Sequence, residues 1–284
     1  MLLGVVTDST CDLPAATLNR LRVEAVPLRL EVGEEVYLDW RDIDPATLYD
    51  WMQHQGVVPS VRSPEPEDFM HVYRRLLQRY DQIVSIHLSP QFSRTFEHAR
   101  RAARRLGVEE KITFIDSGFA GPGLAEIVLE VARLSRQGGS AIDMQLAAAG
   151  IRKNLYGVVS PTNGDWSGEL DWLSALRDRR HRALGHRRLV AMESGEMTQL
   201  GWERESRVAN ALAAALRKRF GNRTLLVAIA YGGADQEALA RLRSAMEEAG
   251  LRIVHGRLQL IGPALGARLG PGSAMVFARP APDR

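Results

Sequence analysis

A polar loop between a predicted strand and a predicted helix contains the residues best suited to chemistry. Ser89 and Ser93 follow an apolar run that ends at Leu88, and Arg94 comes directly after the second serine. A helix-like pattern begins here, and the first N–H groups of a helix have no partner within the helix. Hydroxyl groups beside such N–H groups are typical of a site for an anion. The residues leave open whether the protein only binds that anion or also reacts with it.

Two more apolar, strand-like runs in the first half of the chain also end in short polar residues. The residues that follow these runs include Asp8, Ser9, Ser117 and Gly118. In an open parallel sheet, ligands bind outside the carboxyl ends of the strands. Each set taken alone is also what turns and helix caps use. Because three strand ends share this chemistry, the sequence predicts a hydroxyl-rich cleft at one edge of a sheet.

A nucleophilic role is the alternative for Ser93. A serine nucleophile needs a base within hydrogen-bond reach and an acid that orients the base. His87 and His98 are close in sequence, but neither has a defined orienting acid, and His87 inside a strand run is more typical of a core histidine. The Gly-x-Ser-x-Gly elbow, the phosphate-binding loop and the dinucleotide fingerprint are absent. A hydrolase or transferase that uses Ser93 stays open as an alternative.

The composition limits the class of protein. The 284 residues are 45% hydrophobic and 25% charged, which is typical of a soluble globular protein with two domains. The sequence predicts no membrane span and no signal peptide. With Cys11 as its single cysteine, the chain forms no intrachain disulfide and no cysteine-based zinc site. We therefore expect a cytoplasmic protein without a metal or a cofactor.

The basic residues are almost all arginines, with three lysines among 37 Lys and Arg residues. Arginine suits the bidentate capture of carboxylate or phosphate. Two clusters, Arg100–Arg105 and Arg177–Arg188, lack the stacking aromatic residues of a nucleic-acid surface. We interpret them as solvated helix faces and loops, and we expect no nucleic-acid partner.

Strand and helix patterns alternate along the first half, which predicts a mostly parallel sheet with flanking helices. The predicted strands are Leu2–Thr7, Val23–Leu30, Ile83–Leu88 and Ile112–Ile115, and the predicted helices are Pro64–Tyr80 (with Ser63 as N-cap), Phe92–Leu106 and Leu124–Gln137. A segment of low signal, Ala147–Gly150, precedes a less regular second half. That half contains five predicted strands and two predicted helices, one of them from about Glu203 to Phe220. The sequence thus predicts an α/β fold of two domains, an N-terminal domain at 1–150 and a mixed α/β C-terminal domain at 151–284.

A glycine-rich stretch near the C-terminus, Ile261–Gly272, reads IGPALGARLGPG. Its backbone N–H groups could bind an anion. The other interpretation is a tight approach between loops and a strand, for which glycine leaves room. The sequence does not decide between the two.

Several segments, in this order, resemble the DegV family, whose members bind long-chain fatty acids. They are VVTDSTCDLP, VEAVPLRLEVGEEVYLDW, PEDF, SIHLS with FSRTFEHAR, KITFIDSGFAGPG, ESGEMTQLG and IGPALGARLGPG. The resemblance implies two α/β domains with a fatty acid in a tunnel between them. It also implies a non-catalytic protein that presents the fatty-acid carboxylate to a separate fatty acid kinase subunit. Arg204 falls near an arginine of the family in the region that is expected to contact that subunit.

The resemblance also assigns head-group residues. Ser93 and Thr95 match the family motif, and Ser93 is implied as a donor to the carboxylate. Val61 stands where the family has the threonine that contacts the carboxylate, and Arg62 stands where it has the neighbouring serine. Asp8, Ser9, Ser117 and Gly118 are expected to shape the edge of the pocket.

Two further positions near the expected head group are arginines in this chain. Arg94 replaces a family glycine, and Arg268 replaces a family histidine. One interpretation is a rebuilt site in which guanidinium groups hold a carboxylate or a different anionic lipid. The other is a relaxed site with the arginines turned to solvent. Both stay open.

Overall fold

The computed structural model describes residues 2–163, 180–233 and 235–282. The chain divides into two compact units. Unit 1 comprises Met1–Asp44, Pro59–Lys153 and Gly262–Ala264, and unit 2 comprises Pro45–Val58, Asn154–Ile261 and Leu265–Arg284. The domain boundary predicted near residue 150 stays a prediction.

A four-stranded parallel sheet forms the centre of unit 1. Its strands are β1 (Leu3–Asp8), β2 (Val23–Val26), β6 (Gln82–His87) and β7 (Ile112–Asp116), in the order β2-β1-β6-β7. The mostly parallel α/β fold expected for this half is confirmed. Because β1, β6 and β7 are neighbours that run in one direction, their polar carboxyl ends meet at one edge of the sheet, as predicted.

A second, three-stranded sheet in unit 1 is antiparallel. It contains β3 (Arg29–Val32), β4 (Glu35–Leu38) and β5 (Ser60–Arg62), with β3 in the middle. The prediction of one strand over Val23–Leu30 was wrong, because the chain leaves the parallel sheet after β2. Pro27 lies at this break and has no N–H group to continue a ladder.

Helices flank the parallel sheet and are mostly amphipathic. In unit 1 they are α1 (Ala15–Leu21), α3 (Pro66–Leu76), α4 (Thr95–Leu106), α5 (Pro122–Arg136) and α6 (Ala141–Asn154), and α2 (Pro45–Asp50) belongs to unit 2. The segment of low signal near residue 150 is helical and belongs to α6. The small residues of this segment gave no clear helical signal, so the sequence did not predict this helix.

The start of α3 differs from the prediction that placed Ser63 at its N-cap. Glu65 is the N-cap residue, Pro66 occupies the first turn, and Glu65 and Asp68 form a reciprocal capping box. This box satisfies two N–H groups at once and therefore fixes the helix start. Ser63 is left outside the helix, with its hydroxyl group available for other contacts.

Helix α4 follows the polar loop that contains Ser89 and Ser93. Ala99 and Ala103 are buried on one face, and the arginines on the opposite face are exposed, as predicted. Gly107 ends the helix at a φ of 65°, a conformation that glycine adopts without steric cost. The loop and the first turn of α4 are therefore held in place by a well-packed helix.

Unit 2 is built on a six-stranded mixed sheet. Its strands are β8 (Tyr156–Ser160), β9 (His186–Glu193), β10 (Glu196–Arg204), β11 (Thr224–Tyr231), β12 (Arg252–Leu260) and β13 (Ala274–Pro280), in the order β10-β9-β8-β13-β11-β12. Only the β11–β12 pair in this sheet is parallel. Besides α2, unit 2 contains the helices α7 (Val208–Phe220) and α8 (Gln236–Glu248), and α9 (Pro263–Leu269) begins in unit 1 and continues into unit 2. The mixed α/β architecture is confirmed, but β10 was missed and α7 begins about one turn later than predicted.

Two arginines of the second predicted cluster are not solvated. Arg187 is buried apart from 11% of its side chain and donates to the backbone oxygens of Ser160 and Gly272. Arg188 is buried, with its guanidinium carbon 5.4 Å from the centre of the Trp202 ring. The interpretation of this cluster as a solvated face was therefore wrong for these two residues. The other arginines from 177 to 179 lie outside the described residues.

Within the described ranges, no helix combines the length and the apolar character that a membrane span requires.

Candidate functional site

Three hydroxyl groups form a chain at the start of α4. Ser93 Oγ lies 2.7 Å from Ser63 Oγ and 2.8 Å from Thr95 Oγ1, and it also accepts a hydrogen bond from the backbone N of Thr95. Two of the three hydroxyl hydrogens are used between these groups, so one is left to donate to a ligand. Ser63 and Ser93 are partly exposed, whereas Thr95 is fully buried. We call Ser63, Ser93 and Thr95 the hydroxyl cluster.

The helix itself adds to the positive potential at this point. Thr95 is the first residue of a twelve-residue helix, and the positive end of the helix dipole lies at its N-terminus. Hydroxyl hydrogens and a helix N-terminus together favour a negatively charged group. The hydroxyl cluster can therefore bind an anion such as a carboxylate.

Ser63 is a member of the cluster that the sequence comparison missed. The comparison pointed to Val61 and Arg62, the two preceding residues on β5. In extended backbone, residues two positions apart point to the same side. That alternation puts Ser63 in line with Val61 and was the signal that could have identified it.

Arg62 points away from the hydroxyl cluster and forms an ion pair. Its Nε lies 2.6 Å from Glu31 Oε1, and 67% of its side chain is exposed. Glu31 lies on the neighbouring strand β3, and the pKa of its carboxyl is lowered by the hydrogen bond from Arg62. Arg62 is thus engaged at the surface of the antiparallel sheet.

Arg94 is also at the surface. It is the N-cap residue of α4, its side chain is 72% exposed, and its Nε lies 3.9 Å from Glu97 Oε2. Burial lowers the pKa of the third arginine, Arg268 in the last turn of α9. The head-group roles assigned to Val61, Arg62, Arg94 and Arg268 stay predictions.

Asp8 at the end of β1 is fully buried and accepts four hydrogen bonds. Its Oδ2 accepts from His87 Nδ1 and from the backbone N of Leu88, each at 3.0 Å. Its Oδ1 accepts from the backbone N and the hydroxyl of Thr10. A carboxylate with this many donors is satisfied inside the protein. Asp8 therefore holds the ends of β1 and β6 together below the polar loop.

His87 continues this network into the core. Its Nε2 lies 2.7 Å from Ser85 Oγ, and Ser85 Oγ lies 2.8 Å from the hydroxyl of Tyr73. Ser85, His87 and Asp8 thus have the order of groups found in a catalytic triad. These three side chains and that of Tyr73 are fully buried, so a substrate does not reach Ser85. The network orients the sheet edge, and the acid that sequence reasoning did not find for His87 is Asp8.

Ser93 has no base among the contacts that the structure describes for it. Its partners are two other hydroxyl groups and a backbone N–H. His98, the other nearby histidine, places its Nδ1 2.8 Å from the backbone oxygen of Pro64. Within the described residues, the contacts of Ser93 therefore suit the binding of an anion better than the activation of a nucleophile.

The remaining strand-end residues use their polar groups within the loops. Ser9 Oγ accepts from the backbone N of Leu28 at 2.9 Å, and Ser117 Oγ donates to the backbone oxygen of Phe119 at the same distance. Gly118 has a φ of 73° and donates its N–H to Asp116 Oδ1. Ser9 and Ser117 are buried, so they shape the sheet edge from inside. Their predicted role as pocket-edge residues stays a prediction.

The glycine-rich stretch binds two carboxyl groups of the protein itself. The backbone N of Ala264 donates to Asp39 Oδ1 at 3.0 Å, and the backbone N of Gly262 donates to Asp12. A Cβ on Gly262 would lie 2.2 Å from Asp12 Oδ1 and from Trp40 Nε1. The N–H groups of this stretch therefore meet carboxyl groups of the protein itself, and they do so through a tight approach for which glycine leaves room. Among the described residues, no three His, Cys, Asp or Glu side chains gather to bind a metal ion.

The chain belongs to the DegV family. The family model described as "Uncharacterised protein, DegV family" matches residues 3–166, more than half of the 284 residues. A DegV domain-containing protein of Streptomyces coelicolor is 29% identical over 274 residues, which are 95% of this chain and 95% of that protein. Another, from Deinococcus radiodurans, is 34% identical over 140 residues, 49% of each chain.

Solved structures of DegV proteins share the whole fold. A Thermus thermophilus DegV family protein, described by its fatty acid binding, superimposes with a TM-score of 0.86 at 26% identity, over 99% of this chain and 100% of that chain. A stearic acid-binding protein of Eubacterium ventriosum has a TM-score of 0.85 at 20% identity, over 98% of both chains. These neighbours are described as fatty-acid-binding proteins and not as enzymes.

Proposed function

We propose that this protein binds a long-chain fatty acid and holds its carboxylate with the hydroxyl cluster. The observation that supports this most directly is the chain of short contacts from Ser63 through Ser93 to Thr95 at the first turn of α4. A carboxylate taken out of water requires several hydrogen-bond donors, and hydrogen bonds to a charged group are the strong ones. The fatty-acid binding described for the Thermus thermophilus relative supports the same ligand class.

Head and tail contribute differently to such binding. Burial of the acyl chain stabilises the complex by about 0.8 kcal/mol per CH₂ group. The hydroxyl cluster offsets the cost of removing the carboxylate from water and thereby fixes the orientation of the ligand. We therefore expect affinity to depend on chain length and head-group selectivity to depend on Ser63, Ser93 and Thr95.

A carboxylate suits the cluster better than a phosphate group does. A phosphate carries more charge and is usually matched by arginine. Arg62 and Arg94 are both exposed and have acidic partners on their own surfaces. This pairing favours the neutral hydroxyl donors as the head-group contacts.

Head-group selectivity is the sharpest test of the proposal. Isothermal titration of the purified protein with palmitic acid, and in parallel with its methyl ester, measures the contribution of the carboxylate. The acid should bind, and the ester, which lacks the anionic head, should bind at least tenfold more weakly. Equal affinities, or no binding of either compound, would contradict the proposal.

A finer proposal concerns what happens to the bound carboxylate. The protein presents it to a cytoplasmic kinase subunit, which phosphorylates it with ATP to an acyl phosphate. The partly exposed hydroxyls of Ser63 and Ser93 support this, since a head group held there is open to a partner. Loaded protein mixed with ATP and a fatty acid kinase catalytic subunit should yield a hydroxamate on trapping with hydroxylamine. Absence of hydroxamate, although the same kinase acts on its own carrier, would exclude this step.

A further inference from the structure

A group of buried acids lies beside the glycine-rich stretch, apart from the hydroxyl cluster. Asp8, Asp12 and Asp39 are each at most 2% exposed, and the buried thiol of Cys11 lies among them. Asp12 belongs to the loop after β1, and Asp39 follows β4. Their carboxyl groups reach the backbone of Gly262 and Ala264 at the start of α9. We call Asp12 and Asp39 the aspartate pair.

The contacts of the aspartate pair are one-sided. Asp39 Oδ1 accepts from the backbone N of Ala264, and Asp12 Oδ1 accepts from Trp40 Nε1 at 3.2 Å. The Oδ2 atoms of both residues are buried, and within the described part of the chain neither has a hydrogen-bond partner. An ionised carboxyl with an unpartnered buried oxygen is costly, whereas a protonated one is not. The geometry therefore favours a pair that keeps at least one proton.

The charges around Asp39 point the same way. From the loop after β1 it faces Asp8, Asp12, the Cys11 thiol and the hydroxyl of Ser9. Arg41 and Asp42 in its own turn are exposed, and from α9 it meets the backbone N–H of Ala264. Burial, which the hydrogen bonds from Ser9 and Ala264 only partly offset, raises the pKa of Asp39 to about 7. Burial and repulsion from Asp39 also raise the pKa of Asp12 well above its ordinary value.

We propose that Asp39 is a positioning residue. Together with Asp12 it binds the backbone of Gly262 and Ala264 at the start of α9, the helix that contains Arg268. This contact requires that the aspartate pair keeps at least one proton. With the proton present, Gly262 packs against Asp12 and Trp40 without space for even a Cβ. With the proton lost, repulsion among Asp8, Asp12 and Asp39 pushes the start of α9 away. Fatty-acid binding then weakens above pH 7, a consequence that rests on the function proposed above.

The test combines one measurement without ligand and one with it. Without ligand, the amide resonance of Ala264 is followed by NMR between pH 5 and 9. With ligand, the dissociation constant of palmitic acid is measured from pH 6 to 8.5. The variants are Asp39→Asn, which keeps an acceptor oxygen but carries no charge, and Asp39→Ala, which has no acceptor. Glu34→Gln, an exposed acid in the same β3–β4 hairpin, is the matched control.

In the wild type and Glu34→Gln, the Ala264 amide should titrate with a midpoint near pH 7, and the affinity should fall about threefold or more across it. At every pH tested, Asp39→Asn should bind palmitic acid with the affinity that the wild type has at low pH. Asp39→Ala should bind palmitic acid more weakly than the wild type at every pH. A flat Ala264 amide in the wild type, or an unchanged pH dependence in Asp39→Asn, would overturn the proposal. If the wild type binds no palmitic acid at any pH, the proposed function fails, and the amide titration alone decides the role of Asp39.

Discussion

The hydroxyl oxygens of Ser63 and Ser93 lie 2.7 Å apart, although 30 residues separate them in the sequence. One follows β5 of the antiparallel sheet, and the other precedes the helix that follows β6 of the parallel sheet. Their contact joins the two sheets of unit 1 at the start of α4. It creates the cluster of donors on which the proposed carboxylate site depends.

Loss of either hydroxyl should weaken fatty-acid binding. Ser93 contacts both Ser63 and Thr95, so Ser93→Ala breaks the cluster, while Ser63→Ala removes one end. A hydrogen bond to a charged group contributes about 1.5–3 kcal/mol, so Ser93→Ala should raise the dissociation constant of palmitic acid roughly 10- to 100-fold. Ser63→Ala should have a smaller effect. Ser244→Ala, on the exposed face of α8, is the control and should change nothing.

Removal of the two surface arginines should leave binding almost unchanged. Arg62 and Arg94 are 67% and 72% exposed and contact Glu31 and Glu97. Exposed ion pairs contribute about 0–1 kcal/mol, so Arg62→Ala and Arg94→Ala should each alter the affinity by less than about fivefold. The same calorimetric titration measures both variants. A tenfold loss in either would show that its guanidinium group contacts the head group and that the site was rebuilt around arginine.

Protonation of Asp39 should appear in the pH dependence of stability. Its pKa is raised from 3.8 to about 7, so the folded chain binds this proton more tightly than the unfolded chain does. The resulting stabilisation is complete below about pH 4 and is lost as the pH rises towards about 7, by at most about 1.4 kcal/mol per pH unit. Urea unfolding should therefore show that, as the pH rises from 4 to 8, the free energy of unfolding of the wild type falls relative to that of Asp39→Asn. Parallel curves for the two proteins would refute this role of Asp39, and Glu34→Gln should follow the wild type.

Two glycine substitutions should have opposite effects on stability. In Gly262→Ala the new methyl group would lie 2.2 Å from Asp12 Oδ1 and Trp40 Nε1, atoms of side chains that are held by each other. Overpacking of this kind costs about 1–3 kcal/mol. Gly150 lies in α6, and apart from the adjacent backbone of its own helix nothing lies within 4 Å of the corresponding position, so Gly150→Ala should stabilise by about 0.5–1 kcal/mol through helix propensity. Thermal unfolding of the two variants distinguishes the signs, and a neutral Gly262→Ala would contradict the close packing.

The parts of the fold that local patterns determine could be predicted from the sequence. Strands β1, β6 and β7 are mostly apolar runs, and α4 has a clear apolar face, so both kinds of element were identified. The three-stranded sheet was not identified, because its short strands have no strong pattern and its pairing joins distant segments. The missed helix α6 and the missed strand β10 likewise depend on tertiary contacts that outweigh weak local preferences.

The candidate site shows the same limit. Types and spacing identified Ser93 and the polar strand ends, because parallel strands bring their carboxyl ends to one edge. The partner of Ser93 was not identified, since Ser63 resembled a helix cap, a role that Glu65 has in the structure. Asp8, the partner of His87, lies 79 residues away in the sequence, and Asp39, the partner of Ala264, lies 225 residues away. Such contacts depend on the folded chain.

Native mass spectrometry of the protein purified from its cells detects a bound fatty acid without any added ligand. We expect, besides the mass of the 284-residue chain, a species heavier by one long-chain fatty acid. Ser93→Ala should lose this species, and Ser244→Ala should keep it. A wild-type protein that contains no acyl chain and takes up none when long-chain fatty acids are added would contradict the proposed fatty-acid binding.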